Sequence, residues 1–135
     1  MKVYLAAKYD RRFQLREIRD KLVAEGIEVT AQWIDNAEES KGMAEAAQMD
    51  LDDIDRADTV VFFGLPKGSE NTGGGRWFEF GYAYAKGKPC MAILHESGHE
   101  SVFSALPSVV QENFVSVREL VISIKAFGNV ISHRN

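Results

Sequence analysis

A chain of 135 residues with 45% hydrophobic and 27% charged side chains has the size and composition of one globular core, and only three prolines and eleven glycines exclude a fibrous or extended disordered chain. Twenty acidic against sixteen basic side chains leave a net charge of −4, which argues against a broad phosphate-binding surface for duplex nucleic acid and points to small ligands as partners. The single cysteine, Cys90, cannot form a bridge within the chain, and MKVYLAAKYD lacks the apolar run of a signal peptide or membrane span, so a cytoplasmic protein with no membrane partner is expected.

In chain order, VYLAA is a short apolar run suited to a buried strand, and Arg11 to Glu25 places Phe13, Leu15, Ile18, Leu22 and Val23 at helical spacing before Gly26. IEVTAQW alternates as a second strand. From Met43 to Ala57, a helical stripe carries Met43, Ala47, Asp50, Ile54 and Ala57. TVVFFG is the most strand-like run, rich in β-branched and aromatic residues, and it ends in a loop containing Pro66, Gly68 and Gly73 to Gly75. A helix, RWFEFGYAYAK, is expected from about Arg76 to Gly87, followed by the strand KPCMAIL, a short fifth strand FVSV near Phe114, and a last helix, RELVISIKAF, before a frayed end.

Alternating strands and helices with continuously apolar strands imply a parallel sheet covered on both faces and joined by right-handed crossovers. The expected architecture is α/β: a flavodoxin-like (Rossmann-like) three-layer domain over residues 1–135 with about five strands. In such sheets ligands bind beyond the carboxyl ends of the strands, where the loops after strands one, three and four converge.

Glu79 is the leading chemical candidate, a lone carboxylate among Trp77, Phe78, Phe80, Tyr82, Ala83, Tyr84 and Ala85. Burial raises a carboxyl pKa, but the first helical turn after three glycines lies near the positive end of the helix dipole, so an ionised, poorly hydrated nucleophile is expected. A capping glutamate is the alternative. Gly81, at a cost of about 1 kcal/mol inside a helix, suggests close packing of a strand or ligand on that turn. Most aspartates of DLDDIDRAD read as a solvated face, but Asp50 shares a stripe with Ala47, Ile54 and Ala57, where a carboxyl needs a partner or a proton. It serves either as an acid for a heterocycle or as a loop cap.

Gly73 to Gly75 could bring backbone amides to a phosphate or sugar, yet the P-loop lysine is missing and AAKYD has no dinucleotide fingerprint, so neither ATP nor NAD is expected. Lys8, Arg11, Arg12 and Arg76 lie near the loop mouths with their roles open. His95-Glu96-Ser97-Gly98-His99 matches the spacing of a zinc protease motif but follows a strand and contains Ser-Gly, which reads as a loop; no metal site is expected. Cys90 reads as a small buried hydrophobe.

Taken together, VYLAAKYDRR, DLDDIDRAD before a strand, and GGGRWFEFGYAYAKGKP resemble the nucleoside 2-deoxyribosyltransferase family up to about Pro107. That resemblance implies a flavodoxin-like fold, cytosolic homo-oligomers (a homodimer or higher), and cofactor-free transfer of 2-deoxyribose between a nucleoside and a free nucleobase. By position, Glu79 matches the family's nucleophile, Asp50 the aspartate that contacts the base, and Tyr4 the tyrosine that orients the nucleophile. Ala6, Gly73, Gly74, Gly75 and Arg76 fall at substrate-binding positions, and Ser101 falls roughly where a neighbouring subunit reaches the sugar 5′-hydroxyl. Typical transferases carry an aspartate six residues before the nucleophile, where this chain has Gly73. A related branch, the deoxynucleoside 5′-monophosphate N-glycosidases, hydrolyses its substrate with the same glutamate and receives the phosphate on small residues and serines.

Overall fold

The computed structural model describes residues 1–65, 74–94, 101–112 (109–112 as backbone) and 116–132. The strands are β1 (Lys2–Ala6), β2 (Glu28–Val29), β3 (Thr59–Phe63), β4 (Cys90–Leu94) and β5 (Val109–Glu112), and the helices α1 (Arg12–Ala24), α2 (Met43–Arg56), α3 (Gly75–Ala85) and α4 (Val117–Ser132). All strands run parallel in the order β2-β1-β3-β4-β5. This is the flavodoxin-like arrangement expected from the alternation of elements.

The strand order explains the layering. From β1 the chain steps outward to β2, then returns past β1 to β3 and continues to β4 and β5. Right-handed crossovers therefore put α1 on one face and α2 and α3 on the other. Accordingly α1 packs beside α4 and α2 beside α3. Val60 to Phe63 and Cys90 to Leu94 are buried along their whole length, as are Val3 to Ala6, because these strands are covered on both faces. The reversal of direction falls between β1 and β3, and it opens a crevice beyond the carboxyl ends of those strands.

Several boundaries differ from the expectations. IEVTAQW pairs with β1 only at Glu28 and Val29. Beyond them Thr30 Oγ1 donates to the Asp53 carbonyl at 2.8 Å and Trp33 Nε1 to the Leu5 carbonyl at 3.0 Å, so side chains take over from the ladder and Gln32–Asp35 coils into a 3-10 turn. A strand lies at Val109–Glu112, where Ser108 N–H donates to the Cys90 carbonyl at 2.9 Å and sets the register, and Val117 begins α4; Phe114 and Val115 of the expected strand FVSV lie outside the described residues. The frayed residues 133–135 lie outside them too, as does the loop through Pro66 and Gly68. On α1, Leu15, Ile18 and Leu22 are buried but Phe13 and Val23 are exposed, the former stacked between Arg12 and Arg16 at 4.9 Å from each. On α2 the buried stripe begins later than expected, leaving Met43 and Ala47 in solvent and adding Asp53.

Candidate active site

The crevice beyond β1 and β3 is a cavity of about 460 Å³. Ala7, Lys8, Tyr9 and Asp10 enter it from the loop after β1, Trp33 and Glu38 from the segment after β2, Asp50 from α2, and Gly75, Arg76 and Glu79 from the first turns of α3. Four pieces of the chain thus converge on one hollow and bring together Glu79 and Asp50, the two carboxyls singled out by their apolar surroundings.

Tyr4 is fully buried on β1, and its hydroxyl donates a hydrogen bond to Glu79 Oε2. Burial, then the Glu79 and Asp50 carboxylates, hold the phenol well above its ordinary range, so it stays a neutral donor that fixes one carboxyl orientation. The expected balance at Glu79 is corrected. Burial outweighs the helix terminus and pushes its pKa up to about 8; the Tyr4 hydrogen bond pulls downward, and Asp50, Glu38 and Asp53 push further up. Glu79 therefore carries a proton for much of the time at neutral pH and ionises readily as a positive charge develops beside it. Asp50 is pushed up to about 7 by burial, then by Glu38 and Asp53, and its Oδ1 is buried with no hydrogen-bond partner. A carboxyl so placed can give a proton to a ring nitrogen.

The packing of α2 on α3 sets the spacing of the two acids. Tyr82 on α3 donates to the Asp55 carboxylate at 2.8 Å, and Lys88 Nζ donates to the Ala57 carbonyl at 2.7 Å. Asp53, assigned above to the solvated face, is instead fully buried: it accepts from Gln32 N–H at 3.0 Å and Gln32 Nε2 at 2.9 Å and pairs with Arg56. Its place three residues after Asp50 and beside Ile54 was the available signal. Glu38, Trp33 and Tyr9 also line the cavity without having been singled out; Glu38 sits in a turn with no periodicity to mark it.

The basic residues divide. Lys8 and Arg76 face the cavity, Lys8 with Asp10 at 3.8 Å and Arg76 buried with its guanidinium 5.0 Å from the Phe62 ring centroid. Arg11 Nη1 instead donates to the Gly64 carbonyl at 2.9 Å, and Arg12 stacks on Tyr9 at 4.7 Å. Ala6 is buried at the end of β1, and it is Ala7 that reaches the cavity wall. Gly74 and Ser101 lie on a second hollow across α3, an apolar groove of about 860 Å³ bordered by Trp77, Phe78, Tyr84 and Phe103. Ser101 Oγ accepts from Phe103 N–H at 3.0 Å and caps the 3-10 turn Val102–Ala105. Gly81 opens onto this groove, and among the described residues a Cβ there would meet nothing within 4 Å, so no described strand or helix packs closely enough to require the glycine. Gly73 and the His95–His99 motif lie outside the described residues. Among the described residues no cluster of three metal-ligating side chains occurs and no helix is long and apolar enough to cross a membrane. Cys90 is buried, and its thiol is pushed up to about 11 by that burial, far from a reactive thiolate.

The flavodoxin-like sheet thus carries a tyrosine-held glutamate and a second carboxyl at its switch point. The family model for nucleoside 2-deoxyribosyltransferase matches residues 3–121, and the chain belongs to that family. Among solved structures, the CMP N-glycosidase BcmB of Clostridium botulinum is similar, with 20% identity and a TM-score of 0.68 over 94% of this chain and 99% of that one. A 3-dehydroquinate dehydratase-like protein from Bifidobacterium longum is a looser likeness, with 13% identity and a TM-score of 0.47 over 97% and 96%. No curated protein matches the chain.

Proposed function

We propose that the protein cleaves the N-glycosidic bond of a 2′-deoxynucleoside through a covalent deoxyribosyl–Glu79 intermediate and passes the sugar to a second nucleobase, without a cofactor. The observation that carries this reading is the Tyr4–Glu79 hydrogen bond inside a cavity that also holds the unpartnered Asp50 carboxyl. A Glu79 carboxylate oxygen attacks C1′, the C1′–N bond breaks, and the departing base takes the Asp50 proton. The transition state is oxocarbenium-like, and its positive charge is stabilised by the ionised glutamate. In the second half the incoming base attacks C1′ from the face the first one left, the C1′–O bond to Glu79 breaks and frees its carboxylate, and the base gives a proton to Asp50, with net retention.

A second reading, hydrolysis of a nucleoside 5′-monophosphate by the same nucleophile, is favoured by Lys8 and Arg76, which bring two cations to the cavity. Water then replaces the acceptor base. Intact-mass measurement after brief mixing with a 2′-deoxynucleoside, and with CMP and dCMP, tests both readings. An added pentosyl mass that maps to Glu79 is the expected result, and turnover that requires a second free base separates transfer from hydrolysis. Neither adduct nor base release from any of these substrates overturns both.

The assembly belonging to this reading is a homodimer or a multiple of one, joined across the apolar groove beside α3. Phe78, Tyr84, Val102, Phe103 and Leu106 are all exposed there or at its margin, and Ser101 lies on the same groove, away from its own Glu79 cavity. A second copy covering the groove carries its own Ser101 into the contact region, where the family resemblance calls for a residue from a neighbouring subunit.

A further inference from the structure

The proposed reaction leaves open which bases are accepted, and one cavity residue bears on this. Glu38 lies in the turn that joins the 3-10 turn Gln32–Asp35 to α2, a segment with no helical or strand ladder of its own. Local bonds hold it nevertheless. Asn36 adopts the left-handed conformation at φ 60°, its Oδ1 accepts from the Tyr9 hydroxyl at 3.0 Å, its carbonyl accepts from Glu39 N–H at 3.1 Å, and the Glu38 carbonyl accepts from Lys41 N–H at 3.1 Å. The backbone is thus tied to the loop after β1 while the Glu38 carboxyl makes no hydrogen bond or ion pair among the described residues.

Three features meet at this part of the cavity. Tyr9 and Trp33, with centroids 6.1 Å apart, offer aromatic surface to a planar ring. Asp50 has a buried oxygen with no partner. Glu38 is half-buried, and that burial holds its carboxyl above the usual range, while Asp50 is raised by its own burial and then by the charges of Glu38 and Asp53. A protonated Asp50 and an ionised Glu38 on the wall of one cavity present one donor and one acceptor.

We propose that Glu38 selects the base: it accepts a hydrogen bond from an exocyclic amine while Asp50 donates to the adjacent ring nitrogen. This inference rests on the glycosidic reading above. Cytosine offers that pair at N4 and N3, and adenine at N6 with N1 or N7. Uracil and thymine present the reverse pair, O4 and N3–H, which sets acceptor against acceptor and donor against donor; hypoxanthine places O6 opposite Glu38. A site built to bond one polar pattern rejects the reversed one strongly, because its buried groups are then left unpaired.

The test compares base release from 2′-deoxycytidine and 2′-deoxyuridine, each also as the 5′-monophosphate, by the unmodified protein and by Glu38→Gln and Glu38→Ala. In parallel, free cytosine and uracil are titrated by calorimetry. The unmodified protein is expected to favour the cytosine substrate about tenfold to a hundredfold in kcat/KM. Glu38→Gln, whose amide can donate to O4, brings the ratio close to one. Glu38→Ala loses the cytosine advantage without gaining on uracil, and neither variant shifts the thermal midpoint. Equal handling of both bases by the unmodified protein, or an unchanged ratio in Glu38→Gln, overturns the proposal. If no substrate releases base, the glycosidic reading fails instead and the titrations decide for Glu38. A cytosine margin that Glu38→Gln erases supports the base-selecting role, and equal or absent binding overturns it.

Discussion

The two hollows flanking α3 draw on the same eleven-residue helix and differ in what they can hold. On one side Arg76 and Glu79 join Asp50, Glu38 and Lys8 in a cavity whose walls carry charge; on the other, Trp77, Phe78 and Tyr84 meet Phe103 and Leu106 in a groove that is almost wholly apolar. The groove is the larger of the two and would take more apolar surface out of water, but among the described residues it is lined by no carboxyl or basic side chain. The comparison separates size from chemical character: the proposed chemistry rests on the shielded carboxyls, the proposed association on the uncovered aromatics.

Substitutions that break this contrast are expected to act very unequally. Glu79→Ala removes the nucleophile while emptying little core volume, and turnover is expected to fall by about 10⁴-fold or more with the fold retained, as read by base release and circular dichroism. Normal activity in that variant would falsify the covalent reading. Asp50→Asn, which cannot donate an acidic proton, is expected to cost about 10²–10³-fold. The pH profile sharpens the assignment. Glu79 must lose its proton to attack, and with a pKa near 8 activity climbs as the pH approaches that value; Asp50 must keep its proton, and with a pKa near 7 activity declines above it. A bell with its maximum between about 7 and 8 is expected, and in Asp50→Asn the alkaline decline disappears while the acid limb stays. The smallest effect on chemistry is expected in the groove. Phe78→Ser replaces an exposed ring, so monomer stability should change by less than about 1 kcal/mol. Sedimentation should nevertheless show a shift toward monomer, and an unmodified protein already monomeric at micromolar concentration would remove the second-copy reading.

The sheet was legible because its strands are buried on both faces: TVVFF and CMAIL are apolar without interruption, and the helices between them carry an apolar stripe at helical spacing. Asp50 and Glu79 stood out for the same reason in reverse, as polar groups embedded in apolar patterns, whereas Tyr4 came from the family resemblance. What escaped was structure made by single long-range bonds. Trp33 leaves the expected second strand to reach the Leu5 carbonyl, and Asp53 becomes buried because Gln32 folds over it; neither event leaves a periodic trace. The strand at VVQE was not singled out because it follows Pro107 closely and ends in two polar residues, whereas FVSV has the stronger β propensity. The protonation of Glu79 was misjudged because the apolar residues along α3 were weighed against a helix terminus, while three further carboxyls arriving from other elements were invisible in the local sequence.

The buried Asp53 ties the stretch after β2 to α2 through Gln32, so Trp33, Glu38 and Asp50 are carried by one braced unit, whereas Tyr4 and Glu79 stand on β1 and α3. The scaffold is modular in that sense. Under the proposed function, remodelling the Asn36–Ser40 turn changes which heterocycle fits without moving the pair proposed to engage the pentose, and this makes the turn the natural place to begin redirecting the protein toward unnatural bases.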